Sequence, residues 1–458
     1  MKKILIAAAV FLLLTGCALH GQGSVPPEEP SADTSSAYTA PEETQSSAPT
    51  ETGNADPLEP PTTETAPRDP QKVAKENPET GDFKAIWLSQ YDLWDIYLSD
   101  GVQRVREDFT DRMSRVLDNI RAQGFNTVLL QVRPNGDSMY PSVYYPMSKY
   151  VVGQYGREAD YDPVEIIVSL AKARNLSIHA WINPMRCMTT AELEQVDDAF
   201  LIRRWYDDPE RNGSYIVQHG SYWYLNPAYE EVRQLILIGA AELLDNYDFD
   251  GIHMDDYFYP TTDAAFDAGA YAACGEGMAL DAFRRENLNI LVSGLYEVTK
   301  ACGKEKLYGI SPAGNIRTVY DSHYADVYTW CSREGYIDYI CPQVYFGLEH
   351  QSFDFVSVCN TWQDIIQSDS VDLIIGMTME KALSREDKYA GSGKNEWQEH
   401  QDILKRCLEY TAKLSKCRGI SVFSYQHFFS PVTGEEVAGT AAERENFVPL
   451  LQEITWQN

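Results

Sequence analysis

The stretch Asp248–Pro260, DFDGIHMDDYFYP, ends a short apolar run in two adjacent carboxylates and follows them with three aromatic residues and a proline. Ile252 and Met254 alternate with His253 and Asp255, the period of two that marks a β-strand with different surroundings on its two faces. The carboxylates close that strand. What they do depends on the sheet that holds it.

Seven other short runs of β character recur along the chain, at 85–91, 127–133, 177–183, 307–311, 338–344, 372–377 and 419–425. Helical patterns separate them. Between the first two, Phe109, Met113, Val116, Leu117 and Ile120 fall at helical spacing, and Gly124 follows as a stop signal. Asp162-Pro163 and Asn226-Pro227 each read as a helix cap followed by the first helical residue. Eight β–α units over residues 83–458 predict an α/β architecture, a (β/α)8 TIM barrel with loop insertions. An open doubly wound sheet would carry a Gly-rich phosphate turn after its first strand, and none is present.

In such barrels the chemistry sits at the C-terminal ends of the strands. Asp255 and Asp256 therefore fall on the working rim. With Ile252 and Met254 facing the helices, alternation aims Asp255 into the barrel and turns Asp256 toward the helix layer, where it would cap the following segment. The same alternation aims Gln131 and Arg133 inward from the second strand, His179, Trp181 and Asn183 from the third, and Gln343 and Tyr345 from the sixth. An inward Arg133 requires an acidic partner, either Asp255 or Asp137. His253, in mid-strand, reads as a structural residue. Arg186, Tyr257 and Tyr259 complete the candidate binding residues. Polar groups for hydroxyls and flat aromatic faces for sugar rings describe a carbohydrate site.

Other chemistries lack their motifs. There is no His-Glu-x-x-His, no nucleophile elbow, no P-loop and no dinucleotide fingerprint. The available chemistry is acidic, and paired acids at a barrel mouth suit glycoside hydrolysis without cofactor or metal.

The flanks speak to location. Lys2 and Lys3, the apolar run Ile4–Leu14 and Leu14-Thr15-Gly16-Cys17 read as an export signal over residues 1–17, with Cys17 as a lipid-accepting cysteine; an ordinary cleaved signal is the alternative. Residues 18–82 hold 11 of the 23 prolines and a single aromatic residue, Tyr38, a composition that predicts a disordered linker. The domain from 83 to 458 is then extracytoplasmic, membrane-anchored and monomeric. Residues 1–82 carry 13 acidic and 5 basic residues, which leaves 55 and 33, a net charge of −22, for the rest. That acidity argues against nucleic acid as a partner. Eight cysteines beyond Cys17 show no Cys-x-x-Cys spacing and read mostly as buried thiols.

Six ordered motifs carry a family resemblance: GFNTVLLQVRPNGDSMYPS (124–142), HAWINPMR (179–186), DGIHMDDYFYP (250–260), GISPAGN (309–315), YADVYTW with GYIDYICPQVYF (324–346), and GISVFSY (419–425). Together they resemble the glycosyl-hydrolase-like family 10 of bacterial lipoproteins, which includes a divisome-localised enzyme that cuts peptide-free peptidoglycan glycans. The resemblance implies a glycosidase acting on cell-wall glycan. Gly251-Ile-His253-Met-Asp255 is similar to the Gly-x-Arg-x-Asp of related barrels, which implies Asp255 as nucleophile, with His253 in place of the arginine. For the second acid it implies Asp137 first, with Asp256 and then Glu380 behind it. A glycan-binding lipoprotein without catalysis and a surface glycosidase for other polysaccharides are the rival expectations.

Overall fold

Eight parallel strands close into a barrel in chain order: β1 (Phe83–Leu88), β2 (Thr127–Arg133), β3 (Ser177–Ile182), β4 (Gly251–Met254), β5 (Leu307–Ile310), β6 (Tyr339–Ile340), β7 (Asp372–Thr378) and β8 (Cys417–Phe423). The computed structural model describes residues 82–275 and 277–456. The signal segment with Cys17 and the linker up to residue 81 lie outside them. Each strand is followed by a helix of the outer layer: α1 (Arg106–Ala122), α2 (Pro163–Ala173), α3 (Glu230–Asn246), α4 (Leu280–Cys302), α5 (Val327–Ser332), α6 (Phe355–Ile365), α7 (Ile403–Thr411) and α8 (Ala441–Glu453). The expected (β/α)8 barrel is the observed one.

The apolar pattern accounts for the layers. Phe109, Met113, Val116, Leu117 and Ile120 are the buried residues of α1, each such side chain contributing roughly 1.5–3 kcal/mol by leaving water. Asp162 caps α2 by accepting from the amides of Val164 and Glu165, with Pro163 in the first helical position. Asn226 does not cap α3. It holds the amide of Ala228 in a turn, and the helix begins only at Glu230.

Outward strand residues, among them Val128, Leu130, Ile178, Ala180, Ile252 and Met254, join one large core under the helices. The barrel interior is a separate, aromatic-rich core of Ala85, Trp87, Leu129, Trp181, Tyr339, Cys341 and Ile374. Rings this large fit because glycines face them. A Cβ on Gly309 would lie 2.0 Å from the Tyr339 ring, and one on Gly251 would lie 2.1 Å from the Leu307 carbonyl oxygen.

Two insertions escape the sequence pattern. One is a two-stranded hairpin of Leu98–Ser99 and Val102–Gln103. The other is a three-stranded antiparallel sheet of Arg186–Thr189, Ile216–His219 and Tyr222–Leu225 after β3. All eight described cysteines are free thiols; six are buried, Cys302 is half-buried and Cys274 is exposed.

Candidate active site

The doublet stands where the strand stops. Pairing of β4 with β3 and β5 ends at Met254, so alternation governs Asp255 only loosely and Asp256 not at all. Asp255 is 2% exposed. Its Oδ2 accepts from Trp181 Nε1 at 2.9 Å, and its Oδ1 takes a longer contact of 3.3 Å from the Tyr257 amide. Asp256 does not turn into the helix layer as expected. Its carboxylate accepts from the Gln343 side chain and lies in the field of His323. The early end of β4 is the physical reason, and it brings both acids to the mouth.

Burial pushes the Asp255 carboxyl well above the usual carboxylate range, and the neighbouring Asp256 charge pushes it further, against the Trp181 and Tyr257 hydrogen bonds and the Arg186 charge. Burial also raises Asp256, but His323, Gln343 and Arg186 offset part of that rise. The two titrate as a pair. Asp255, the more deeply buried and the less compensated, is the member pushed up further.

Beside the doublet sits Arg186, at the start of the inserted sheet. Its guanidinium lies 4.3 Å from the centre of the Tyr222 ring and 4.8 Å from that of Tyr257. Tyr257 is 39% exposed, and Tyr91 and Trp94 are exposed as well. The rings of both Tyr91 and Trp94 meet Tyr150 edge-on, at 6.5 and 5.3 Å. These rings make an aromatic shelf on one side of the mouth. Tyr91, Trp94, Tyr150, Tyr222 and His323 are absent from the sequence-derived set. Tyr91 follows the end of β1 by three positions, which is the one signal the sequence offers for it.

Beneath the carboxylates runs a buried polar chain. Trp87 Nε1 donates to His253 Nε2 at 3.2 Å, so the His253 proton sits on Nδ1 and is donated to Tyr339 Oη at 2.9 Å. The Tyr339 hydroxyl is then free to donate to His179 Nδ1 at 3.2 Å. Burial pushes His179 down to about 4 and His253 well below the usual histidine value, so both rings are neutral. At the rim, Gln131 donates to Asn183 Oδ1 at 2.9 Å and accepts from the Gln90 amide at 2.7 Å. Gln343 is braced by the Ser311 carbonyl at 3.1 Å. Tyr345 packs against Trp87 and Phe423, and Asp256, Glu380 and Asp255 all act on its hydroxyl. The sequence-derived Trp181, Asn183, Arg186, Tyr257, Gln343 and Tyr345 thus converge on one mouth.

Three expected residues do not join them. Arg133 faces outward, because β2 and β3 slip register between Gln131 and Arg133 and the extra residue reverses the alternation. Its guanidinium donates to Tyr140 Oη and the Gly239 carbonyl oxygen and covers the Tyr145 ring, with neither Asp255 nor Asp137 as partner. Asp137 is fully buried inside the loop after β2, accepting from the Asn135 amide and Tyr155 Oη, both at 2.8 Å. That carboxylate organises its own loop. Tyr259 is buried against Phe266 and Tyr324, away from the shelf. Glu380 is exposed at the start of the short helix Glu380–Ser384 that follows β7. Asp92, a further buried acid, is saturated by the Ser89 and Gln426 amides and the Ser424 hydroxyl. Among the described residues no cluster of histidine, cysteine or acidic side chains could hold a metal ion.

Residues 82–390 match the family model described as Glycosyl hydrolase-like 10. The chain is 31% identical over 321 residues to Glycosyl hydrolase YngK of Bacillus subtilis (strain 168), a match covering 66% of this chain and 61% of that protein. It therefore spans less than two thirds of that relative's length. It is 27% identical over 324 residues to Glycosyl hydrolase DigH of Escherichia coli (strain K12), covering 65% and 73% of the two chains. The PgaB (BpsB) glycoside hydrolase domain from Bordetella bronchiseptica aligns over 80% of this chain and 99% of its own, with 12% identity and a TM-score of 0.49.

Proposed function

The chain belongs to the glycosyl hydrolase-like 10 family, and from that premise we propose that it is a glycoside hydrolase acting on peptidoglycan glycan strands, anchored outside the cytoplasm through a lipid on Cys17. One observation carries the hydrolase reading: two adjacent carboxyl groups at the end of β4, Asp255 buried and Asp256 half-buried, stand beside an aromatic shelf with both carboxyls pushed above the usual range, Asp255 the further. Hydrolysis of a glycosidic bond needs one carboxyl group to donate a proton to the leaving oxygen and another to remain charged for the attacking water or the oxocarbenium-like centre. Environments that push two acids apart assign those roles. Asp255, holding the proton and braced by Trp181, is the donor. Asp256, held by Gln343 and His323, is the charged partner. The similarity of Gly251–Asp255 to the Gly-x-Arg-x-Asp of related barrels implies a nucleophile at Asp255, and the electrostatics favour the proton-donor role there instead.

Replacing Asp256 with asparagine tests this division. The variant is expected to lose roughly 10²–10⁴-fold in kcat, the usual worth of a positioned acid or base. Any residual activity should carry a changed pH profile. Wild-type kcat/KM falls on the alkaline side as Asp255 gives up its proton. Removing the Asp256 charge removes one of the causes that hold that proton, so the alkaline limb moves to lower pH. An unmoved limb in a less active variant would mean that the Asp256 charge does not hold the proton on Asp255.

The lipid anchor and the wall substrate rest on the sequence and the family. A coil of the composition of residues 18–82 would reach roughly 40–50 Å, the order of distance needed to act on the wall from a membrane anchor. Cys17→Ser should shift the protein from the membrane fraction to the soluble extracytoplasmic fraction. A variant that stays with the membrane would contradict the anchor. For the substrate, amidase-treated peptidoglycan should be cut faster than chitin oligosaccharides, glucans or mannans. A polysaccharide of another class that outperforms it would replace the wall reading with the rival surface glycosidase.

A further inference from the structure

Arg186 is built into the mouth in a way that a general sugar-binding residue does not require. Tyr222 and Tyr257 cover the guanidinium at 4.3 and 4.8 Å, and the hydroxyls of Tyr224 and Tyr91 lie within reach of its charge. Its ε-nitrogen is buried with no hydrogen-bond partner. Among the described residues no carboxylate forms an ion pair with it, although its charge acts on both Asp255 and Asp256. Arg284 has its groups in use on Asp267, whereas Arg133, Arg233 and Arg444 also leave a buried nitrogen unpartnered, but on the outer side of β2 and on α3 and α8. Among the described residues Arg186 alone combines two covering rings, a buried unpaired nitrogen and a position beside the doublet.

A guanidinium covered by two rings is restrained by them, and what it has to offer a ligand is its edge, a fork of parallel N–H donors. The group that fits this fork is a carboxylate, which takes two charge-assisted hydrogen bonds at once. We propose that Arg186 is the specificity residue of an anionic subsite, one that reads a free carboxylate on a sugar next to the scissile bond. This rests on the hydrolase reading above and narrows its substrate. The carboxylate has two chemical sources in glycans, the lactyl ether of a peptide-free muramic acid and the C6 acid of a uronic acid. In peptide-bearing wall glycan the lactyl acid is tied up as an amide, carries no charge and cannot use the fork. An arginine that reads the free acid would therefore restrict cleavage to strands already stripped of peptide.

The test is a ratio. kcat/KM is measured for wild-type protein on peptide-free peptidoglycan glycan and on the same glycan with its lactyl carboxyl reduced to the alcohol, with oligo-uronates as a third arm. Wild type is expected to prefer a carboxylate-bearing glycan by roughly 10–100-fold, the worth of a hydrogen-bonded charge. In Arg186→Gln that ratio should fall toward one, whatever happens to the overall rate. In Arg186→Lys, which keeps the charge and loses the fork, it should fall partway. Preference for the oligo-uronate arm would support the subsite and assign the sugar. A wild-type ratio of one, or a ratio unchanged in Arg186→Gln, would overturn the proposal and leave Arg186 as an electrostatic brace for the doublet. If no arm yields new reducing ends, the hydrolase reading fails. The same ratios are then taken from dissociation constants by calorimetry, and the subsite stands on a carboxylate preference lost in Arg186→Gln or falls without it.

Discussion

Asp255→Asn is expected to lower glycan hydrolysis by at least roughly 10²–10⁴-fold while its melting temperature stays at or above that of the wild type. The amide is nearly isosteric with the acid and can still accept from Trp181 Nε1, which holds Oδ2 at 2.9 Å. It cannot deliver a proton to a leaving oxygen. The stability half of the prediction follows from linkage. Burial raises the Asp255 pKa well above its value in the unfolded chain, so the folded state binds that proton more tightly. Stability then declines as pH rises from the ordinary carboxyl range through the raised pKa. Asparagine has no proton to lose, so the variant escapes this decline. The difference in melting temperature should widen from mildly acidic to alkaline buffer. A dead variant that also melts several degrees early would place Asp255 among the structural residues.

The second large effect lies in the segment that follows the doublet. Arg284 and Asp267 form a fully buried, two-pronged ion pair at 2.7 and 2.9 Å. The same guanidinium donates to the carbonyl oxygens of Asp263 at 2.6 Å and Thr261 at 3.2 Å, with the Tyr324 and Tyr259 rings alongside at 4.8 and 5.3 Å. One side chain of α4 thereby ties down the stretch that leaves β4 through Asp255 and Asp256. Asp267→Ala strands a buried guanidinium and should cost about 3–5 kcal/mol in urea unfolding. The double variant Asp267→Ala with Arg284→Met should recover part of that loss, because an apolar replacement leaves no unpaired charge. A single variant that costs less than about 1 kcal/mol would mean that solvent reaches the site and that the tie is weak.

The barrel was legible because buried parallel strands read as apolar runs, and each such run lies between amphipathic helices. Every expected strand formed within a few residues of its place, except that β6 is only Tyr339–Ile340 where the pattern predicts 338–344. Alternation then placed Trp181, His253 and Tyr345 correctly. It failed at two places where the strand was not regular. The register slip in β2 turned Arg133 outward, and the early end of β4 turned Asp256 toward Gln343. Neither event has a local sequence signature, since each is settled by pairing with a neighbouring strand. Tyr257 and Tyr259 look alike in sequence, yet one is on the shelf and the other inside the core, a difference made by the Arg284 anchor some 25 residues later. Tyr222 reaches the site from the inserted sheet, whose existence the eight-unit pattern does not contain.

Cleavage itself decides whether the doublet at the end of β4 cuts glycan or merely holds it. The most direct measurement counts new reducing ends when the purified protein is incubated with amidase-treated peptidoglycan, with Asp255→Asn in parallel. Reducing ends should increase with time for the wild type and stay at background for the variant, while both proteins co-sediment with the glycan. Co-sedimentation of the wild type without any new reducing ends would contradict cleavage and leave a glycan-binding protein in a barrel that no longer cuts.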